Sequence, residues 1–178
     1  MKIHPKIKKL GFTAYELGCE IKQSLFGSSS AILERTSRFA KEEAMFFSRS
    51  KPVLFVGSGY YPESALALRQ DGFTVTLLDK NRFALYCSKK FRFSQTRADA
   101  QTFNYHDYDQ IIVAVMVNKK ELVLRQILLT NPDAIIILRN VNDNTYYTPA
   151  KEIPKQLKTM HVITQPETIM HAHVLKKI

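Results

Sequence analysis

The sequence predicts an α/β fold: a doubly wound, mostly parallel sheet of seven strands, with an antiparallel hairpin at its C-terminal edge and a short helical cap at the N-terminus. Three observations predict it. Short continuous apolar runs, such as Val53–Val56 and Ala134–Leu138, read as strands buried on both faces. Helical segments separate these runs, and alternating strand and helix calls for parallel strands joined by right-handed crossovers. The last two apolar segments flank Gln165-Pro166, too close for a crossover helix, so they pair as a hairpin. At 178 residues, 45% hydrophobic and 24% charged, the chain is about one globular domain in size. That excludes a disordered chain, a collagen-like repeat and a disulfide scaffold. The expected division is a cap over residues 1–50 and a sheet domain over 51–178.

The elements follow in order. Ala14–Leu25 reads as a short helix, and Gly27-Ser28-Ser29-Ser30 breaks it. Ser30 then suits the N-cap of a helix running to about Phe47. Ile32, Phe39 and Phe46 recur every seven residues, with Leu33, Ala40 and Phe47 beside them, which makes one stripe fit to cover a sheet. Val53–Val56 is the first strand, stopped by Gly57-Ser58-Gly59. Pro62 fits the first position of a helix, where its missing N–H costs nothing, and Gly72 ends the helix Glu63–Gln70. Phe73–Leu78 is the second strand and Asn81–Lys90 the next helix. Arg97–Ala100 is a weak third strand, Ile111–Val117 the fourth and Lys119–Leu129 a helix stopped by Asn131-Pro132. Ala134–Leu138 is the fifth strand, Asn140–Thr148 a polar loop, and Met160–Thr164 and Thr168–Lys176 the closing hairpin. The whole is a Rossmann-like arrangement.

Ligands of such sheets bind beyond the carboxyl ends of the strands. There the sequence places Gly57-Ser58-Gly59 and, twenty residues past Gly59, Asp79. A strand ending in Gly-x-Gly admits a ligand close to the backbone, and a carboxylate after the second strand can accept both ribose hydroxyls. Pro62 stands where a dinucleotide fingerprint needs its third glycine, which speaks against NAD and FAD. No Gly-Lys-Ser/Thr follows either, so there is no P-loop. A nucleoside cofactor without a pyrophosphate fits, and S-adenosylmethionine is the obvious one. The expected contacts are Gly57, Ser58, Gly59, Tyr60, Asp79, Lys80, Asp99, Ala100 and Val115, the residues at or just after successive strands. Asp99 would take the adenine amino group or serve a turn.

Asn118, Arg139 and Asn140 are the expected substrate contacts; Arg139 would fork onto a carboxylate or close a structural ion pair. Tyr60 and Tyr61 would pack on a sulfonium or simply cover the sheet end. Glu63 and Tyr60 are the candidates for accepting a proton, with Glu63 otherwise complementing a helix dipole.

The net charge is +10, spread as +4, +4 and +2 over residues 1–50, 51–130 and 131–178. It fits a basic soluble surface, an acidic small substrate or an RNA partner. Lys89, Lys90, Arg92 and Arg97, interleaved with Phe91 and Phe93, read either as base-stacking beside phosphate contacts or as a solvated helix end over core aromatics. Cys19 and Cys87 form no metal-binding or redox pair and suit a reducing compartment. His171 and His173 share a strand face without a third ligand, so no metal is expected. No apolar run approaches the ~20 residues of a membrane span. The basic start Met1–Leu10 lacks the apolar stretch of a signal peptide, and a cytoplasmic protein is expected.

Several stretches are similar to one family. Phe55-Val56-Gly57-Ser58-Gly59-Tyr60-Tyr61-Pro62 resembles the F-V-G-S-G-P-L-P segment of nicotianamine synthases. Tyr108–Val117 is similar to their Y-D-V-V-F-L-A-A-L-V, and Ile169–Lys177 to their closing V-I-N-S-V-I-I-A-R-K. Ile137-Leu138-Arg139-Asn140, with a loop ending in Tyr146-Tyr147-Thr148-Pro149, is similar to their L-R-S and following Y-P. The resemblance covers about residues 44–178. It departs at Tyr60, where the family has proline, and at Asn118, where it often has glycine. Only some fifty residues precede the first strand, where the family has a sizeable helical domain, and none of Glu16, Glu20, Glu34, Glu42 and Glu43 can be assigned from it as a base.

The resemblance implies a methyltransferase-type fold that takes an aminocarboxypropyl group from S-adenosylmethionine to a small amine or amino-acid-like acceptor. Methyl transfer to a small molecule or RNA, and a non-catalytic nucleoside-binding domain, are the alternatives. A homo-oligomer is compatible with all three.

Overall fold

A computed structural model describes residues 30–141, 153–164 and 170–178 of the chain. The expected helix Ala14–Leu25, most of the loop Asn140–Thr148 and the bend at Gln165-Pro166 lie outside the described residues. Helix α1 spans Ser30–Ala44, α2 Glu63–Gln70, α3 Arg82–Ser88 and α4 Lys120–Thr130, with a 3-10 turn at Lys89–Phe91. The strands are β1 Val53–Val56, β2 Val75–Asp79, β3 Ser94–Arg97, β4 Gln110–Val113, β5 Ile135–Val141, β6 Leu157–Thr164 and β7 Met170–Lys177. They form one sheet in the order β3-β2-β1-β4-β5-β7-β6. The first five strands are parallel; β7 enters antiparallel beside β5 and pairs with β6 at the edge, as expected.

Position in the sheet explains the residue pattern. β1 lies between β2 and β4, and all four of its residues are buried, hence the unbroken apolar run. Alternate side chains serve two cores. Phe55, Leu77, Ile112 and Ile137 meet Phe39 and Ala40 of α1 and Ala65 and Leu68 of α2. Leu54, Val56, Ile111, Val113 and Leu138 meet Val123, Leu124 and Ile127 of α4.

Several boundaries differ from expectation, β6 for one beginning at Leu157 and not Met160. β3 comes three residues earlier, at Ser94–Arg97, because an edge strand with one open side needs no apolar run and this one is polar. β4 stops at Val113. Ala114 still donates to Val56 O at 3.0 Å, and the chain then turns, Val117 N–H reaching Ala114 O at 3.2 Å. The apolar residues 114–117 thus form a loop over the end of β1. β5 runs on through Arg139 and Asn140, held by β7 in the pairs Arg139↔Ala172 and Asn140↔His171. α1 ends at Ala44, and Met45, Phe46 and Phe47 continue in tight i→i−3 bonds that keep Phe46 and Phe47 on the core. Among the described residues no helix is long and apolar enough to cross a membrane.

Candidate functional site

The chain leaves β1 through two glycines in left-handed conformation, Gly57 at φ +78° and Gly59 at φ +64°. A side chain at Gly57 is excluded twice: by this φ, and because its Cβ would lie 2.5 Å from Val117 Cγ2. Gly57 N–H extends the ladder to Leu78 O at 2.8 Å. Gly59 N–H then donates to Asp79 Oδ2 at 3.2 Å. Asp79 Oδ1 accepts from Asn81 N–H at 2.8 Å, and Asn81 Oδ1 caps α3 by accepting from Phe83 N–H at 2.9 Å. The glycine turn and the carboxylate, expected to converge, are therefore hydrogen-bonded to each other.

Beside this turn lies a cleft of about 220 Å³. Thr36 and Phe39 of α1 roof it; Phe55, Gly57 and Ser58 form its floor; Tyr61 to Ser64, Ala114 to Met116 and Arg139 wall it. Ser58 is buried, and its Oγ has no hydrogen-bond partner among the described residues. A buried hydroxyl left in this state suits a polar ligand. The two tyrosines diverge. Tyr61 lines the cleft with its ring edge-on to Phe91 at 5.2 Å, and burial followed by the charge of Glu63 raises its pKa. Tyr60 leans to α3, its hydroxyl accepting from Asn81 Nδ2 at 2.8 Å and its ring 5.7 Å from Phe83. Glu63, in the first turn of α2, accepts from Thr36 Oγ1 at 3.3 Å, which ties it to the roof.

Arg139 displays the ion pair. Nε and Nη2 fork onto Glu43 at 2.7 and 2.5 Å, Nη1 donates to Ser64 Oγ at 2.9 Å, and the rings of Phe39 and Phe55 lie 5.3 and 5.2 Å from the guanidinium. Glu43 is fully buried. One side chain thus fastens α1, β5 and α2 around the cleft. Asn140, one residue on, faces the other side of the sheet and accepts from Lys120 Nζ at 3.3 Å. Lys120 is buried and also donates to Arg139 O at 3.0 Å; burial lowers its pKa to about 8, against a small opposing effect of Glu121.

The remaining expected residues fall at the same end of the sheet. Val115 walls the cleft, Lys80 is exposed after β2, and Asn118 is exposed before α4. Asp99 is exposed in a turn, where its carboxylate accepts from Gln101 N–H at 2.9 Å. Ala100 O accepts from the hydroxyl of Tyr105, which is fully buried and raised in pKa by burial and by Asp99. Sequence reasoning missed Ser64 and Lys120 and gave Glu43 no role. The only signals were the cation opening α4 and Glu43 among five candidate glutamates.

The strand order, the antiparallel β7 and the glycine turn define a methyltransferase-type Rossmann-like fold. No protein-family model matches the sequence, and no curated protein matches it. Solved structures do. The nicotianamine synthase MtNAS, as a Glu-to-Gln variant in complex with S-adenosylmethionine, superposes with a TM-score of 0.80 at 16% identity, over 97% of this chain and 77% of that one. MtNAS in complex with MTA and tNA gives 0.71 at 19% identity, over 82% of this chain and 61% of that one. A TehB-like SAM-dependent methyltransferase from Corynebacterium glutamicum gives 0.61 at 12% identity, over 93% and 97%. At these identities the likeness is one of fold.

Proposed function

We propose that the chain is an S-adenosylmethionine-dependent transferase that passes an aminocarboxypropyl group to a small amine or amino-acid-like acceptor. The observation that carries this reading is the Gly57–Gly59 turn bonded to Asp79 beside a roofed cleft whose floor holds the buried Ser58 Oγ. Gly57, Ser58, Gly59, Asp79 and Val115 would hold the nucleoside and its amino-acid tail, with Tyr60, Lys80, Asp99 and Ala100 around the turn. The bound cofactor supplies an already activated carbon next to a sulfonium, so the protein's task is position and dryness.

Phe39 and Phe55 give the cleft an apolar lining. Glu63 holds a carboxylate in its wall, where it can accept the acceptor's amine proton. Tyr61, with its raised pKa, keeps its proton at neutral pH and serves as a ring and a donor, not as a base. The Arg139–Glu43 pair positions the roof. Asn118, exposed before α4, would contact the acceptor.

Incubation with S-adenosylmethionine and candidate amines, read by mass spectrometry, tests this. Methylthioadenosine as the nucleoside product supports it. S-adenosylhomocysteine would replace it with methyl transfer, a reading favoured by the match to nearly the full length of the C. glutamicum methyltransferase. Cofactor binding without either product would leave a nucleoside-binding domain.

A further inference from the structure

Between Asp79 and Asp99 the chain carries six cations, Lys80, Arg82, Lys89, Lys90, Arg92 and Arg97, and no carboxylate. All six are exposed. The aromatics interleaved with them in sequence do not supply a stacking surface. Phe91 is half-buried against Tyr61, and Phe93 packs on the core with the Arg69 guanidinium 4.3 Å from its ring centroid. The exposed rings are others. Phe83 and Tyr86, three residues apart on α3, are 51% and 71% exposed, with centroids 6.4 Å apart and planes 17° from parallel. Tyr60 abuts Phe83 at 5.7 Å, so a row of three rings leads from the glycine turn onto the outer face of α3. Arg82, Lys89 and Lys90 lie on the same helical stripe as Phe83 and Tyr86 or continue it.

We propose that this face binds a single-stranded nucleic acid, bases stacked on Phe83 and Tyr86 and phosphates held by the surrounding cations. Cations alone would suit any polyanion. Two near-parallel exposed rings among them select a polyanion that carries flat π faces. The proposal does not rest on the transferase reading, and its test uses no S-adenosylmethionine.

The test is fluorescence anisotropy of the full chain with a labelled oligouridylate of about ten nucleotides, a length within the usual range of such sites. Binding is expected to weaken as salt rises, with a log–log slope of about −2 to −4, since each phosphate contact contributes about −0.7 on a single strand. Phe83→Ala and Tyr86→Ala should each weaken binding about tenfold. Both residues are exposed, so the thermal midpoint should stay unchanged. Arg82→Ala with Lys89→Ala should flatten the slope by about 1.4. Comparable binding of oligothymidylate supports the same surface. Absence of binding at low salt overturns the proposal. So does equal affinity for polyphosphate with no effect of the ring variants, and so does preference for anionic lipid vesicles.

Discussion

Arg139 and Asn140 are neighbours in β5, yet they open onto two polar sites of opposite kind. On the α1 side, the buried charge of Arg139 meets the buried charge of Glu43, and Ser64 takes the remaining nitrogen. On the α4 side, the hydrogen bonds that the ammonium of Lys120 makes among the described residues go to neutral acceptors, Arg139 O and Asn140 Oδ1. His171 and His173 stand nearby on that face, rings 4.9 Å apart, each with a buried Nδ1 that has no hydrogen-bond partner among the described residues. The first site is compensated, so its integrity depends on both partners. In the second, burial outweighs the charge of Glu121 and is the leading cause of the lowered pKa of Lys120, His171 and His173. A buried pair locates elements; a buried single charge stores a pH-dependent cost.

Removing one partner of the compensated site should have the largest effect. Glu43→Ala strands a guanidinium whose side chain is only 11% exposed and should cost about 3–5 kcal/mol in urea unfolding. A loss under 1 kcal/mol would show that Arg139 finds solvent instead. Lys120 should act on the order of 3 kcal/mol through pH. Its folded pKa, about 8, lies below its ordinary 10.5, so between these values the unfolded chain binds the extra proton and stability rises with pH. Lys120→Met should abolish that rise; an unchanged pH profile would deny that the ammonium is held in a dry place.

Asp79→Ala should weaken S-adenosylmethionine binding by about 1–3 kcal/mol in calorimetry, through lost hydrogen bonds to a charged acceptor. The same affinity in the variant would remove Asp79 from the site. The smallest effect belongs to the histidines. Burial lowers both, and the charge of Lys120 adds to the lowering at His171. In the unfolded chain they take up protons near 6.5 while the folded chain resists, so stability falls as pH drops through that value. His171→Gln with His173→Gln should flatten the acid limb, and a limb as steep as before would place the cause elsewhere.

The parts legible in the sequence were those governed by local rules. Val53–Val56 reads as a central strand because both faces are buried, and Glu63–Gln70 as a helix because Pro62 and Gly72 bracket it. β3 was displaced because an edge strand carries no hydrophobic signature. The loop at 114–117 passed for strand because its apolar side chains are needed for another reason, to pack over Gly57. The stacking rings passed unnoticed because exposure, unlike periodicity, is a property of the folded surface.

From the chain alone came the alternation of strand and helix, the glycine turn and the acid twenty residues later, since each depends on backbone chemistry within a few residues or one crossover. Folding alone decided that Arg139 belongs to Glu43, ninety-six residues away, and that Asn140 belongs to Lys120. The reason is that adjacent residues of a strand point to opposite faces, and which helix covers each face is settled only when the layers close.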